Sequence, residues 1–398
     1  MMNPQTTQVP FVETAATPRM IGEFVGDPAG PTLIAVGSIH GNEPSGRLAL
    51  QRAAERLAPT QARLKGRVFF VTGNVRASAL GVRFQDHDLN RSWSRENVIR
   101  NTSGLNSPLA EDKEQHELLA IFRDLLKTAD DEVYVLDLHT TSAGGRPFAT
   151  VGDTMRNRNF AHRLPVTILL GIEEQLEGTM LEFLNNEGAV TLGFEGGQHT
   201  EPAAVDNHEA LIILALVNTG ILAAEDVPDI SAIKDCLQSA TGTAGIFEVR
   251  HREAVSEFDE FVMEPGFTNF DLVKKGQLLA GNLNGPITAP ETGLIMMPLY
   301  QKQGEDGFFI VRQVAAFWLS LSALLRRLRT AEIIHLLPGV RRYPKRPEQL
   351  QIDTRIARFF PLQLFHLLGF RKLRSRRHFL LVSRRRHDTG GPFTKRRK

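Results

Sequence analysis

Between residues 31 and 220, short runs of β-branched and apolar side chains alternate with longer segments of helical period. That rhythm suits a mostly parallel sheet with crossover helices. PTLIAVGSI (31–39), GRVFFVTGN (66–74), DEVYVLDLHT (131–140), VTILLG (166–171) and AVTLGFEGG (189–197) read as strands. SGRLALQRAAERLA (45–58), EDKEQHELLAIFRDLLKTA (111–129) and NHEALIILALVNTGIL (207–222) read as helices. The polar clusters of this region lie just past strand ends, where open α/β sheets place their ligands.

Beyond an acidic linker near 224–229 the texture changes. GIFEVRHREAV, GQLLAGNL, TGLIMMPLY and GFFIVRQV are short strands between turns rich in Gly, Pro and Asn, so 240–317 reads as a small β-domain. The expected division is an N-terminal segment (1–30), a catalytic α/β domain (31–225), that β-domain and a basic extension (320–398). Of the 47 Lys and Arg, 21 lie at or beyond Arg326, against 4 of the 45 Asp and Glu. The body therefore carries about −15 and the tail about +17, as pieces with different jobs would. Apolar and basic residues are interleaved in the tail and prolines break its helical runs. It reads as a poorly ordered extension, or else as a surface (326–398) for nucleic acid or anionic membrane.

Cys236 is the one cysteine, so an internal disulfide and a Cys-based zinc cluster are excluded and any metal would need His and carboxylate ligands. A reducing, cytoplasmic setting is expected. No leader pattern and no membrane-length apolar run is evident.

Four clusters could carry chemistry. In GSIHGNEPSG, His40 and Glu43 follow a buried strand, with Gly37 and Gly41 permitting a tight turn and Pro44 suited to the first turn of the next helix. Both are costly to desolvate unless something compensates them; a capping or hydrogen-bonding role is the ordinary alternative. In DEVYVLDLHTTSAGG, His139 ends a strand, and Asp137 shares its face and could orient the imidazole. His40, Glu43 and His139 together offer three zinc ligands with a fourth position open for water, the arrangement of a catalytic site. In TLGFEGGQH, Glu195 ends another strand and could act as general base and then general acid beside such a metal. TGNVRASALGVRFQDHDLNRSW carries Arg76, Arg83, Asn90 and Arg91, groups suited to an oxyanion or a substrate carboxylate, or simply to solvent. Asp86, His87 and Asp88 stand in a row and should point different ways, which speaks against a second metal.

Taken in chain order, GSIHGNE, NVRA, DLNR, DLHTT and GFEGG resemble the succinylglutamate desuccinylase/aspartoacylase family, a branch of the zinc carboxypeptidase-like superfamily. The resemblance covers about 30–200, and GIFEVRHREAVSEFDEFVMEPGFTNFDLVKKGQLLAG is similar to the family's C-terminal domain. It implies a carboxypeptidase-like mixed sheet flanked by helices, one Zn²⁺ per chain on His40, Glu43 and His139, and Glu195 as general base. It further implies Arg76 as the oxyanion residue, Asn90 and Arg91 as binders of the amino-acid carboxylate, and Tyr300, in MPLY, as a residue reaching the substrate. The implied activity is zinc-dependent hydrolysis of the amide bond of a small N-acyl amino acid; a metallocarboxypeptidase acting on short peptides is the alternative. One departure stands out: NNEGAVTLGF, the ten residues before Glu195, lacks the basic side chain that aspartoacylases use for an acidic acyl group.

Overall fold

The structure, a computed structural model, describes residues 17–102, 107–242, 244–343, 346–356, 361–376 and 378–393. Most of the expected N-terminal segment, residues 1–16, lies outside them. An eleven-stranded mixed sheet runs through the molecule in the spatial order Met20–Val25, Arg67–Thr72, Thr32–Gly37, Val133–Thr141, Val190–Gln198, Phe148–Val151, Ile168–Leu170, Ile246–Ala254, Asp306–Gln313, Gly293–Met296, Asp271–Val273. Thr32–Gly37 pairs in parallel with both Arg67–Thr72 and Val133–Thr141, and Val133–Thr141 pairs in parallel with Val190–Gln198.

The period of two decides which face each residue buries. Leu33, Ala35, Val68, Phe70, Leu136 and Leu138 enter one core layer, beneath the helices Pro44–Leu57 and Ala203–Asn218. Ile34, Val36, Phe69, Val71, Val133 and Val135 enter the other, beneath Leu118, Leu119, Phe122 and Leu125 of the helix Ala110–Lys127. A sheet covered on both faces needs near-continuous apolar strands, and Thr32–Gly37 is buried at every position. Truncating Phe122, which no solvent reaches, would cost about 3–5 kcal/mol in lost transfer energy and cavity.

The expected β-domain is not a separate sheet. Its strands Ile246–Ala254, Asp306–Gln313, Gly293–Met296 and Asp271–Val273 extend the large sheet, and only Gly285–Thr288, Leu278–Asn282 and Val262–Met263 form a small antiparallel sheet of their own. Ile246–Ala254 docks in parallel on Ile168–Leu170 through the partners Ile168–Ile246, Leu169–Phe247 and Leu170–Glu248.

The segment expected as a poorly ordered extension is ordered over its described residues. The helices Ala316–Arg327 and Pro361–Leu367 accompany a four-stranded antiparallel sheet of Val340–Tyr343, Arg346–Asp353, Phe379–Arg384 and Phe370–Arg376. Ile334, Val340, Leu350, Ile352, Phe365, Leu368, Phe370, Leu380 and Val382 make its core. Phe393 belongs instead to a core layer of the large sheet, in one cluster with Leu184 and Ala189.

Opposite charges join this unit to the body. The buried Arg326 guanidinium donates to the Asp153 carbonyl (2.8 Å) and carboxylate (2.9 Å), and to Asp388 (3.1 Å). Arg385 Nη2 reaches Glu173 and Glu174, each at 2.7 Å, and His366 Nε2 lies 2.9 Å from Glu174. Burial pushes the Asp153 carboxyl up, but the charges of Arg158, Arg326 and Arg385 hold it well below the carboxylate range. Part of the charge split read from the sequence is thus spent at this joint. Among the described residues no helix is long and apolar enough to cross a membrane.

Candidate metal centre and active site

Thr32–Gly37 ends in a turn whose shape brings Glu43 back over the sheet. Ser38, not a glycine, takes the left-handed conformation (φ 57°), and its Oγ donates to the Glu43 carbonyl at 3.0 Å. Gly41 serves by closeness: a Cβ there would stand 2.2 Å from the Ala77 backbone. Glu43 stands at the position before the helix that starts at Pro44, as the sequence indicates, but its side chain caps no helix N–H and is left for the site.

His40 and His139 arrive from neighbouring strand ends and face the two oxygens of that carboxylate. His40 Nδ1 lies 2.9 Å from Glu43 Oε1, and His139 Nδ1 lies 3.2 Å from Glu43 Oε2. One ligand atom from each of the three residues falls within 4.8 Å of the others, and they form the one such cluster of His, Cys, Asp and Glu found among the described residues. The remaining imidazole nitrogens are held from behind: His40 Nε2 by Asp88 Oδ1 at 3.2 Å and His139 Nε2 by Asp137 Oδ2 at 2.9 Å. Carboxylates so placed direct the Nδ1 lone pairs inward, which is what a metal site asks of histidine.

The charges support the same fit. Burial raises the Glu43 carboxyl, but His40 and His139 outweigh it and hold it well below its ordinary value. His139, though burial opposes its charge, is held well above its ordinary value by Asp137 and Glu43. Three buried carboxylates around two imidazoles form a negative pocket, and the donor set suits a divalent cation.

Glu195 sits opposite His139 in the ladder between Val133–Thr141 and Val190–Gln198 and lines the same cavity. Its Oε2 is buried without a hydrogen-bond partner. Burial, opposed by His139 and aided by Glu43, pushes its carboxyl up to about 7. Behind it, the His208 ring leaves no room for a Cβ on Gly196, and burial pushes that imidazole down to about 3, so it stays neutral.

The arginines sort differently from expectation. Arg76 is not at the site: its guanidinium donates to Glu114 (2.7 Å) and Glu117 (2.8 Å), and it does not line the cavity. Arg83 occupies the ground expected for it, lining the cavity 3.3 Å from Glu43 Oε1, 3.2 Å from Asp88 Oδ2 and 2.9 Å from His40 Nε2. The reason lies in the helix Ala110–Lys127. Glu114 there accepts from the backbone of Val75 and Arg76, and Glu111 accepts from Gln85 and Asp86, so both loops are pinned with Arg76 outward and Arg83 inward.

Asn90 and Arg91 line the cavity, each with a neighbour already: Asn90 Oδ1 accepts from Met180 N–H (2.9 Å), and Arg91 Nη2 donates to Asp306 (2.8 Å). Tyr300 does not reach the cavity; its hydroxyl donates to the Glu264 carbonyl and accepts from Phe267 N–H, while its neighbours Leu299 and Gln301 line the wall. The row Asp86, His87, Asp88 points three ways, as expected: to the Ala110 N–H, to Asp112 and to His40.

Residues 29–199 match the family model of the succinylglutamate desuccinylase/aspartoacylase catalytic domain. Those 171 of the 398 residues are similar to that family's catalytic domain. The family's members are hydrolytic deacylases. Among solved structures, the chain is similar to succinylglutamate desuccinylase from Vibrio cholerae, at 18% identity and a TM-score of 0.52 over 73% of this chain and 85% of that one. It is similar to a succinylglutamate desuccinylase/aspartoacylase from Rhodobacter sphaeroides, at 18% and 0.54 over 74% and 88%. The product-bound ectoine utilization protein EutE (DoeB) from Ruegeria pomeroyi gives 21% and 0.54 over 73% and 87%. At these identities the likeness is one of fold. No curated protein matches the chain.

Proposed function

We propose that the protein is a zinc-dependent hydrolase that cleaves the amide bond of an N-acyl amino acid. The observation that carries this reading is the convergence of His40, Glu43 and His139 on one point, in a cavity into which Glu195 also faces. A zinc ion held by these three residues would supply Lewis acidity, polarising the amide carbonyl and making water acidic enough to deprotonate near neutral pH. Glu195 accepts the proton of the attacking water at its unpartnered carboxylate and delivers it to the leaving amine. Arg83 presents a cation where charge develops on the carbonyl oxygen. Asp88 and Asp137 keep the imidazoles oriented. Asn90 and Arg91 receive the amino-acid carboxylate, Arg91 by exchanging part of its contact with Asp306.

A cytoplasmic location accords with the single, unpaired Cys236. Against a nucleic-acid or membrane role for the tail stands the engagement of Arg326, Arg371 and Arg385 with carboxylates of the body. Metal analysis of the purified chain, with a panel of N-acyl amino acids and short peptides, tests the reading. One zinc per chain and hydrolysis of N-acyl amino acids are expected; a metal-free active protein, or cleavage of peptides alone, would overturn it.

A further inference from the structure

The helix Ala316–Arg327 is apolar on the side it turns away from the body. Ser322 and Arg326 are buried on one face, and Leu319 and Leu325 pack inward. On the opposite face Phe317, Leu324 and Leu328 follow one another at helical spacing, each more than half exposed, with the Trp318 ring edge-on to Phe317 at 5.1 Å between centroids. The turns that follow add Ile333 and Leu336, both exposed. Arg327, Arg329, Arg341 and Arg342 stand exposed along the same stretch, and among the described residues no carboxylate pairs with them; Arg342 turns to the Glu332 carbonyl and His335. Exposed apolar side chains gathered inside a charged rim mark a contact surface.

A second such patch, of the other sign, lies on the small antiparallel sheet. Phe258, which is 78% exposed, Val262 and Leu283 gather round Asp259: the Leu283 N–H donates to the Asp259 carbonyl at 3.0 Å, and Val262 pairs with Gly281. Residues 253–264 hold five carboxylates and no Lys or Arg, and Glu257 and Glu260 are exposed. The two patches differ in what could cover them. Pairing the arginine-rimmed face with itself across a two-fold axis would set its arginines against their own copies. An anionic membrane would cover that face and leave Phe258, Val262 and Leu283 bare. The acidic patch of a second copy answers both the apolar and the charged residues of the helix face, and a single contact covers both patches.

We propose that copies of this chain associate head to tail, the outer face of Ala316–Arg327 with its neighbouring arginines docking on the acidic patch around Phe258, Val262 and Leu283 of a second copy. The contact joins two different surfaces, so each chain keeps one patch for the next copy unless a ring closes. It rests on neither the metal nor the hydrolase reading.

Sedimentation of the full chain over a range of concentrations tests this, beside Leu324→Ser and Phe258→Ser, two exposed positions whose change leaves the cores intact. The unchanged chain should show a mass above that of one chain, rising with concentration and falling as salt is added. Each substitution alone should weaken association about tenfold or more, as truncation of a central contact residue does. An equal mixture of the two variants, each keeping the patch the other lacks, should form a complex of two chains and nothing larger. Four results overturn the proposal. The first is an unchanged chain that sediments as a single chain at every concentration. The second is association that survives in Phe258→Ser while Leu324→Ser loses it, the mark of a two-fold contact. The third is a mixture that stays unassociated although circular dichroism shows both variants folded. The last is a single unchanged chain that binds phosphatidylserine vesicles through Leu324, which assigns the face to a membrane.

Discussion

The backbone N–H of Thr140 donates to Glu43 Oε2 at 2.9 Å, so the carboxylate delivered by one strand end is anchored by the strand end beside it. The parallel pairing of Thr32–Gly37 with Val133–Thr141 therefore sets the spacing of the cluster, and the core beneath sets the pairing. Changes to the cluster should be read in metal content before they are read in stability. Asp137→Asn and Asp88→Asn should each weaken metal affinity about 10–100-fold, because the histidines lose the partners that orient them. Competition with a chelator of known affinity measures this.

Glu195→Gln keeps the shape of the side chain and removes its basicity. Turnover should fall about 10²–10⁴-fold while bound metal is unchanged. Retention of full kcat would remove Glu195 from the chemistry.

The two arginines give opposite expectations. Arg83→Ala should lower kcat about 10²–10³-fold, as loss of an oxyanion donor does. Arg76→Ala should leave kcat in place and cost at most about 1 kcal/mol in stability, since its pairs are partly exposed and Glu114 retains Arg19. A kcat loss confined to Arg76→Ala would restore the assignment that the resemblance implies.

The joint between body and C-terminal unit should fail in acid. Burial raises Asp153 and Glu174, yet Arg158, Arg326 and Arg385 for the first, and His366 and Arg385 for the second, hold both below their ordinary values. A depressed carboxylate stabilises the docked form above its unfolded pKa, about 4, and loses that contribution as the pH falls through the folded value. Hydrogen exchange in Phe379–Arg384 should therefore accelerate on acidification below about pH 4, before exchange in Val133–Thr141 does. Arg326→Ala, which strands buried carboxylates, should cost about 3–5 kcal/mol at neutral pH.

What the sequence reveals about this molecule follows the reach of local patterns. Thr32–Gly37, Val133–Thr141 and Val190–Gln198 are legible because strands buried on both faces must be apolar throughout, and the meeting of His40, Glu43, His139 and Glu195 because polar groups that end neighbouring parallel strands gather at one rim of the sheet. Arg83 is harder to find. Arg76 and Arg83 share one loop-rich segment, and the choice between them is made by Glu111 and Glu114, on a helix some thirty residues later. The signal available is Arg83's place on the same loop as Asp88, Asn90 and Arg91. Tyr300 fails for a similar reason, since the bonds that turn it away come from Glu264 and Phe267. The fold of residues 316–393 is obscured by its own composition: arginines that look solvated in sequence find carboxylates in the body, and no local pattern announces a distant counter-charge.

One consequence of the large sheet concerns how substrate gets in. Ile246–Ala254 is hydrogen-bonded to Ile168–Leu170 on one side and to Asp306–Gln313 on the other, so Asp306, the anchor of Arg91, is joined through paired strands to the part of the sheet that carries His139 and Glu195. Entry and exit then fall to side-chain rotations at the rim, and turnover should respond to solvent viscosity far less than in enzymes that close one body upon another.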